Sequence, residues 1–153
     1  DNDYASFIEK RVGEKNFHEG DIVNTDGEVL GRHRGYPAFT IGQRKGLNVG
    51  GLKEPHYVTA IDPEKNEITV GLKNSLYRSD FFVNKVNWYL PRQEVFETQV
   101  QIRYLHNGST AKVKPLPGER AYVEFFEPQL SITPGQSAVF YVDDCIVGGG
   151  WIE

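Results

Sequence analysis

The sequence has a single cysteine, no methionine and only four histidines in 153 residues. One thiol, Cys145, excludes an internal disulfide and any multi-cysteine zinc site, and points to a reducing, cytoplasmic location. His18, His33, His56 and His106 are scattered without an HxxxH or other paired spacing, so they read as solvated surface side chains rather than metal ligands. No apolar run approaches the roughly 20 residues needed to cross a bilayer, and Asp1-Asn2-Asp3 lacks the charged-then-apolar form of a signal peptide. No membrane partner is expected. The absence of an initiator methionine suggests part of a longer protein.

Catalytic signatures are equally scarce. There is no GxxxxGK[ST] phosphate loop, and Gly148-Gly149-Gly150 does not follow a strand and open a helix as a dinucleotide fingerprint does. The triple glycine reads instead as a sharp bend or close strand packing at a barrel corner. Cys145 follows two aspartates, a poor setting for a thiolate nucleophile, and opens the last apolar segment, so it reads as core. No His or Lys stands beside a Ser in a nucleophile motif. Neither a catalytic residue, a metal site nor a cofactor is expected in the chain itself.

What the sequence does contain is apolar and aromatic area, at 39% and 12% of residues, enough to offset the entropy of folding. Its 16 glycines and 8 prolines call for many short turns, as all-β folds do. The expected class is mostly β: a small β-rich central module with a short N-terminal helix, followed by a six-stranded antiparallel β-barrel. The helix is read over residues 1–12, where Tyr4, Phe7, Ile8 and Val12 share a face and Gly13 stops it. One hairpin joins residues 21–25 to 28–32 around Asp26-Gly27, and a second joins 56–61 to 67–71. Between them residues 31–51 read mostly as functional loop, with room for a strand at 38–41. The loosened stretch 73–80 separates modules 1–77 and 81–153. Beyond it, residues 85–89, 95–105, 111–114, 120–126, 137–142 and 145–152 read as strands that close into a barrel, because closure removes exposed edges.

The net charge of −4 argues against bulk attraction to a polyanion, but its distribution is uneven. Residues 29–52 hold no acid and four cations, Arg32, Arg34, Arg44 and Lys45, in glycine-flanked loops whose N–H groups and guanidinium forks suit phosphate. A second basic face is read from Asn107-Gly108. A two-residue turn there sets Arg103 opposite Lys112, Gln101 opposite Lys114, and Ile102 opposite Val113. The cations and Gln99 then point outward, unless acids such as Glu124 neutralise them. Tyr104 falls on the alternate face, as core or as a base-stacking platform at a rim.

Three separated stretches carry a resemblance. Leu30-Gly31-Arg32-His33-Arg34-Gly35 with Phe39-Thr40-Ile41-Gly42-Gln43-Arg44-Lys45-Gly46-Leu47, then Arg103-Tyr104, then Ser131-Ile132-Thr133-Pro134-Gly135-Gln136-Ser137-Ala138-Val139-Phe140-Tyr141 with Gly148-Gly149-Gly150-Trp151-Ile152, together resemble the central and C-terminal modules of bacterial tRNA-specific 2-thiouridylases. The resemblance implies a parent enzyme that uses ATP and Mg to replace the C2 oxygen of a wobble uridine with sulfur delivered by a donor protein. It implies tRNA contact, in the anticodon region, by Arg103, Tyr104 and Gln136. It assigns no role to Cys145, so the chain alone is expected to be inactive. Phe39 stands where the family more often has Tyr, and Gln101 where Lys is common. The alternatives are a translation-factor-like barrel that binds RNA or protein, and a small-molecule-binding barrel with an enclosed apolar cavity.

Overall fold

A computed structural model of the chain describes residues 17–47, 49–90, 94–104 and 107–153. The helix expected over residues 1–12 lies outside them. The chain is mostly β and divides between Leu76 and Tyr77 into two units.

The first unit is a four-stranded sheet of β1 (Gly20–Val23), β2 (Val29–His33), β3 (Tyr57–Asp62) and β4 (Glu67–Gly71), in the order β2-β1-β4-β3. Both expected hairpins form. In the first, the Asn24 side-chain oxygen accepts the Asp26 and Glu28 N–H groups at 2.9 Å each, and Gly27 takes φ 82°. In the second, Asp62 accepts the Glu64 and Lys65 N–H groups at 3.0 and 3.1 Å. Those donors, Lys65 N–H foremost, hold the Asp62 carboxyl below its usual range. Local turns cannot announce that β1 runs parallel to β4, which is what joins the two hairpins into one sheet.

Ile22, Val58, Ile68 and Val70 line the buried face of this sheet, and the long β2–β3 connection lays Leu47, Phe39 and Ile41 over it. The strand anticipated at 38–41 is absent. Residues Tyr36–Ala38 make a short 3-10 turn instead, because Pro37 has no N–H to give a ladder, and Gly42 reverses the chain with φ 86°.

The second unit comprises β5 (Tyr77–Trp88), β6 (Phe96–Gln101), β7 (Ser109–Leu116), β8 (Arg120–Leu130), β9 (Ser137–Val142) and β10 (Cys145–Ile152). These close in the order β10-β5-β8-β7-β6-β9, every pairing antiparallel. Strand β5 begins at Tyr77, well before the expected residue 85, and runs through the polar Arg78-Ser79-Asp80 with a bulge between Arg78 and Asp80. Polarity there reads as linker, yet one face of a barrel strand is solvated and tolerates it.

Alternation fills the barrel interior: Ala121, Val123 and Phe125 point inward on β8 while Arg120, Glu124 and Phe126 point out. Trp88 stacks on the buried Phe140 with ring centroids 5.5 Å apart. This packed interior argues against the small-molecule barrel. The triple glycine lets β10 approach both neighbours. A Cβ on Gly148 would come within 2.6 Å of the Trp88 ring, one on Gly149 within 2.7 Å of the Ala138 carbonyl, and one on Gly150 would overlap the Asn84 carbonyl. Cys145 is exposed rather than core, since it sits at the corner of the tight turn that pairs it with Val142.

Candidate nucleic-acid interface

In the first unit the cationic loop is pinned from below. Phe39, Ile41, Leu47 and Val49 pack against the core, while Thr40, Arg44, Lys45 and Gly46 are exposed. The Gln43 side chain accepts the Thr40 N–H at 3.1 Å and donates to the Lys45 carbonyl at 2.9 Å. Its backbone carbonyl accepts the Val58 N–H at 2.9 Å, while Gly42 N–H donates to the Val58 carbonyl at 2.8 Å, so the loop is sewn to the start of β3. Arg44 and Lys45 are exposed on it, and among the described residues neither has a carboxylate within ion-pair range. An open depression of about 270 Å³ adjoins Arg44, bounded by Leu47, Leu52, Glu54 and His56.

The other two cations of the stretch differ. Arg32 lies opposite Asp21 in the β1–β2 register and its Nε stands 3.4 Å from the Asp21 carboxylate, so part of its charge is spent internally. Arg34 is exposed just beyond β2. Between them His33 is buried, not solvated as its lone position suggests. Its Nε2–H donates to the Asn66 carbonyl at 3.2 Å, its ring meets Phe39 edge-on at 5.7 Å, and among the described residues Nδ1 has no partner. Burial lowers its pKa, because a proton on Nδ1 would place a charge in an apolar pocket with no acceptor; the Asn66 bond and Asp21 oppose the shift, and Arg32 adds to it.

In the barrel the register of β6 and β7 departs from expectation. Val113 pairs with Phe96 and Lys112 with Glu97, not with Ile102 and Arg103, because β6 ends at Gln101 and a longer connection replaces the two-residue turn. The slip is an even number of residues, so the faces survive: Ile102 and Val113 are both buried. The partners do not survive. Lys112 lies in register between Glu97 on β6 and Glu124 on β8, with its ammonium 5.4 Å from the Phe126 ring centre. Lys114 is exposed farther along β7, opposite Tyr122. The expected like-charge pair of Arg103 with Lys112, and the pairing of Gln101 with Lys114, are therefore absent.

Arg103, Tyr104 and the Gln136 turn share one end of the barrel. Gln101 pairs with Val139 near the start of β9, and the Arg103 guanidinium donates to the Leu130 carbonyl at 2.8 Å, where the chain enters the turn that ends at Gln136. That turn has Pro134 and Gly135 at its centre, with Gly135 at φ 82° and the Gln136 N–H donating to Thr133 at 3.3 Å. Gln136 is half-buried, its carbonyl accepting the Ile152 N–H at 2.8 Å. Tyr104 is 93% exposed, a position strand alternation would not give it, because β6 has already ended.

Sequence reasoning missed two features here. One is the strut made by Gln43, whose only signal is an amide between two turn-forming glycines. The other is an amide wall beside Tyr104, where Tyr141 Oη donates to Gln101 at 3.2 Å and Gln101 donates to the Tyr104 carbonyl at 3.2 Å. Among the described residues no cluster of three His, Cys, Asp or Glu side chains is placed to hold a metal, and no helix is long and apolar enough to cross a membrane.

Two family models match in succession. A tRNA methyl transferase PRC-barrel domain covers residues 5–72, and an aminomethyltransferase beta-barrel domain covers residues 78–152. The tRNA-specific 2-thiouridylase 2 of Syntrophus aciditrophicus is 44% identical over 174 residues, covering 100% of the chain and 51% of that protein. That of Geotalea uraniireducens is 44% identical over 100% of the chain and 40% of its own length, and that of Moorella thermoacetica 45% identical over 99% and 42%. The chain thus spans about half, or less, of the relatives it matches.

Proposed function

The chain belongs to the family of tRNA-specific 2-thiouridylases, as their central and C-terminal part, and from that premise we propose that its two units hold tRNA for thiolation of the wobble uridine. Phosphate contacts position an RNA without reading it, and the exposed Arg44-Lys45 loop is suited to that task. The observation that carries the reading is this loop: two cations without carboxylate partners among the described residues, on a backbone fixed by Gln43 to the strand beneath. A phosphate meeting them displaces no internal ion pair and finds the loop already ordered.

Arg34 supplements that loop, Arg32 less so because of Asp21, and Arg103, Tyr104 and Gln136 form the barrel's own contact in the anticodon region. Lys112 and Lys114 contribute little. The whole enzyme would also use ATP, magnesium and a sulfur-donor protein. The described residues offer no metal cluster suited to ATP-bound magnesium, and the role proposed for this chain involves none of the three.

The test is tRNA binding by the chain as salt is raised. Each phosphate neutralised contributes a log–log slope of about 0.7 to 0.9, so Arg44→Ala with Lys45→Ala should reduce the slope by about 1.5. Unmodified tRNA should compete better than random RNA of equal length. A flat salt dependence, or a slope untouched by the double substitution, would overturn the proposal. Equal competition by random RNA would favour a generic RNA-binding barrel.

A further inference from the structure

Beside Tyr104 the barrel wall carries an open groove of about 480 Å³, whose lining includes Gln99, Gln101, Tyr104, Gly108, Tyr141 and Asp143. Among the described residues no lysine or arginine lines it, and the one carboxylate there is that of Asp143. A phosphate would be repelled, whereas a nucleobase meets amides, a carboxylate and a ring face. The Tyr104 ring is 93% exposed and free to stack. The amides are oriented in advance: Gln99 donates to Thr110 Oγ1 at 2.8 Å, and its carbonyl oxygen faces Gly108, where an added Cβ would lie 3.5 Å from it. Gln101 is braced between Tyr141 and the Tyr104 backbone. Asp143, at the β9–β10 corner, has no ion pair among the described residues.

We propose that this groove seats an unpaired guanine of the bound RNA, with Tyr104 stacking on the base and the Asp143 carboxylate accepting its N1–H and N2–H groups. Guanine alone among the standard bases presents two adjacent donors on its Watson–Crick edge, and a carboxylate is acceptor-only with two oxygens to match them. Adenine, cytosine and uracil each leave one carboxylate oxygen facing an acceptor. Arg103, next to Tyr104, is free to meet the flanking phosphate with the N–H groups that Leu130 does not use. The assignment rests on the chain's being an RNA-holding one, and it adds base identity to a role otherwise built on backbone contact.

The experiment measures affinity of the full chain for oligouridylates of equal length carrying one central guanosine, adenosine or cytidine, with guanosine 5′-monophosphate as a separate arm. The guanosine oligomer should bind about tenfold more tightly than the others. Asp143→Asn should abolish that preference while leaving binding to the plain oligouridylate intact. Asparagine tolerates the φ of 52° at this corner, so the hairpin survives the exchange. Tyr104→Ala should weaken every oligomer about tenfold without altering their order. No guanosine preference, or one that persists in Asp143→Asn, overturns the inference, as does tighter binding of the free nucleotide than of the oligomer. Failure here with steep, salt-dependent tRNA binding preserved sinks the guanine subsite alone, whereas loss of tRNA binding as well sinks the proposed function with it.

Discussion

The sheet unit and the barrel solve different problems with similar strands. In the sheet unit the apolar layer is built partly from a loop, and that loop's outward residues are cations: Phe39, Ile41 and Leu47 go down, Arg44 and Lys45 go out. In the barrel the core comes mostly from the strands, with Ile102 and Ile132 added from connections, and on the outer wall Lys112 lies in register between Glu97 and Glu124. The loop's Arg44 and Lys45 have no carboxylate partner among the described residues, and the barrel's distinctive surface is the groove of amides around Tyr104, with Asp143 at its edge. On the proposed reading, one unit would attract a polyanion and the other would discriminate among its bases.

The two units should therefore fail differently, and the largest effect is expected in the barrel. Gly150→Ala puts a Cβ onto the Asn84 carbonyl and within 2.8 Å of Val83, in a strand held on both sides, so nothing can give cheaply. The expected loss is about 3 kcal/mol in urea unfolding. Gly50→Ala, in the loop of the sheet unit, meets nothing within 4 Å and should fall within about 0.5 kcal/mol of the parent. Equal costs at the two sites would erase the contrast between a closed strand layer and an open loop.

Next in size is Gln43→Ala. It removes two side-chain hydrogen bonds that tie Thr40 to Lys45, at a cost of about 1 to 2 kcal/mol. RNA affinity should fall although no cation has been touched, because the loop would then have to be ordered on binding. Stability lost with affinity unchanged would mean that the strut serves the fold alone.

These sites also mark how far the sequence could be read. Both hairpins of the sheet unit, the barrel class and the packing role of Gly148 to Gly150 follow from turn chemistry and alternation, which act over a few residues. The parallel pairing of β1 with β4 and the β6–β7 register depend on what lies across the sheet, and no local pattern encodes that. The site divides in the same way. Arg44 and Lys45 are visible as cations in an acid-free stretch, but the partner that partly neutralises Arg32 is Asp21, visible only once β1 lies beside β2. His33 shows why a lone histidine misleads: its neighbours in sequence are arginines, while its neighbours in space are Phe39 and the Asn66 carbonyl.

A gentler effect separates the units by pH. The His33 pKa in the folded chain lies below the ordinary 6.5, so near that pH the unfolded chain takes up a proton that the folded one refuses. The stability involved is complete above 6.5 and is lost as the pH falls through 6.5 toward the lower folded value. Urea midpoints should therefore drop on acidification, and His33→Gln, which keeps a donor for the Asn66 carbonyl but cannot be protonated, should flatten that part of the curve. An unchanged pH slope in the variant would remove His33 as its source.

The smallest effect is predicted for Lys112→Ala. The register expected from the sequence sets Lys112 opposite Arg103, a like-charge pair that an anion would reconcile. With Glu97 and Glu124 as its actual cross-strand neighbours, the local field favours the ammonium without help, and a phosphate drawn to it would face two carboxylates. Exposed cross-strand neighbours of opposite charge contribute at most about 1 kcal/mol, and the ammonium's place above Phe126 adds a similar amount at most. Removing Lys112 should shift stability by less than about 1 kcal/mol and leave the salt slope of tRNA binding where it was, while the Arg44 and Lys45 pair lowers it. A slope that fell by about 0.8 for Lys112→Ala would place a phosphate on the barrel wall despite its acids, and the division between a gripping loop and a reading rim would no longer hold.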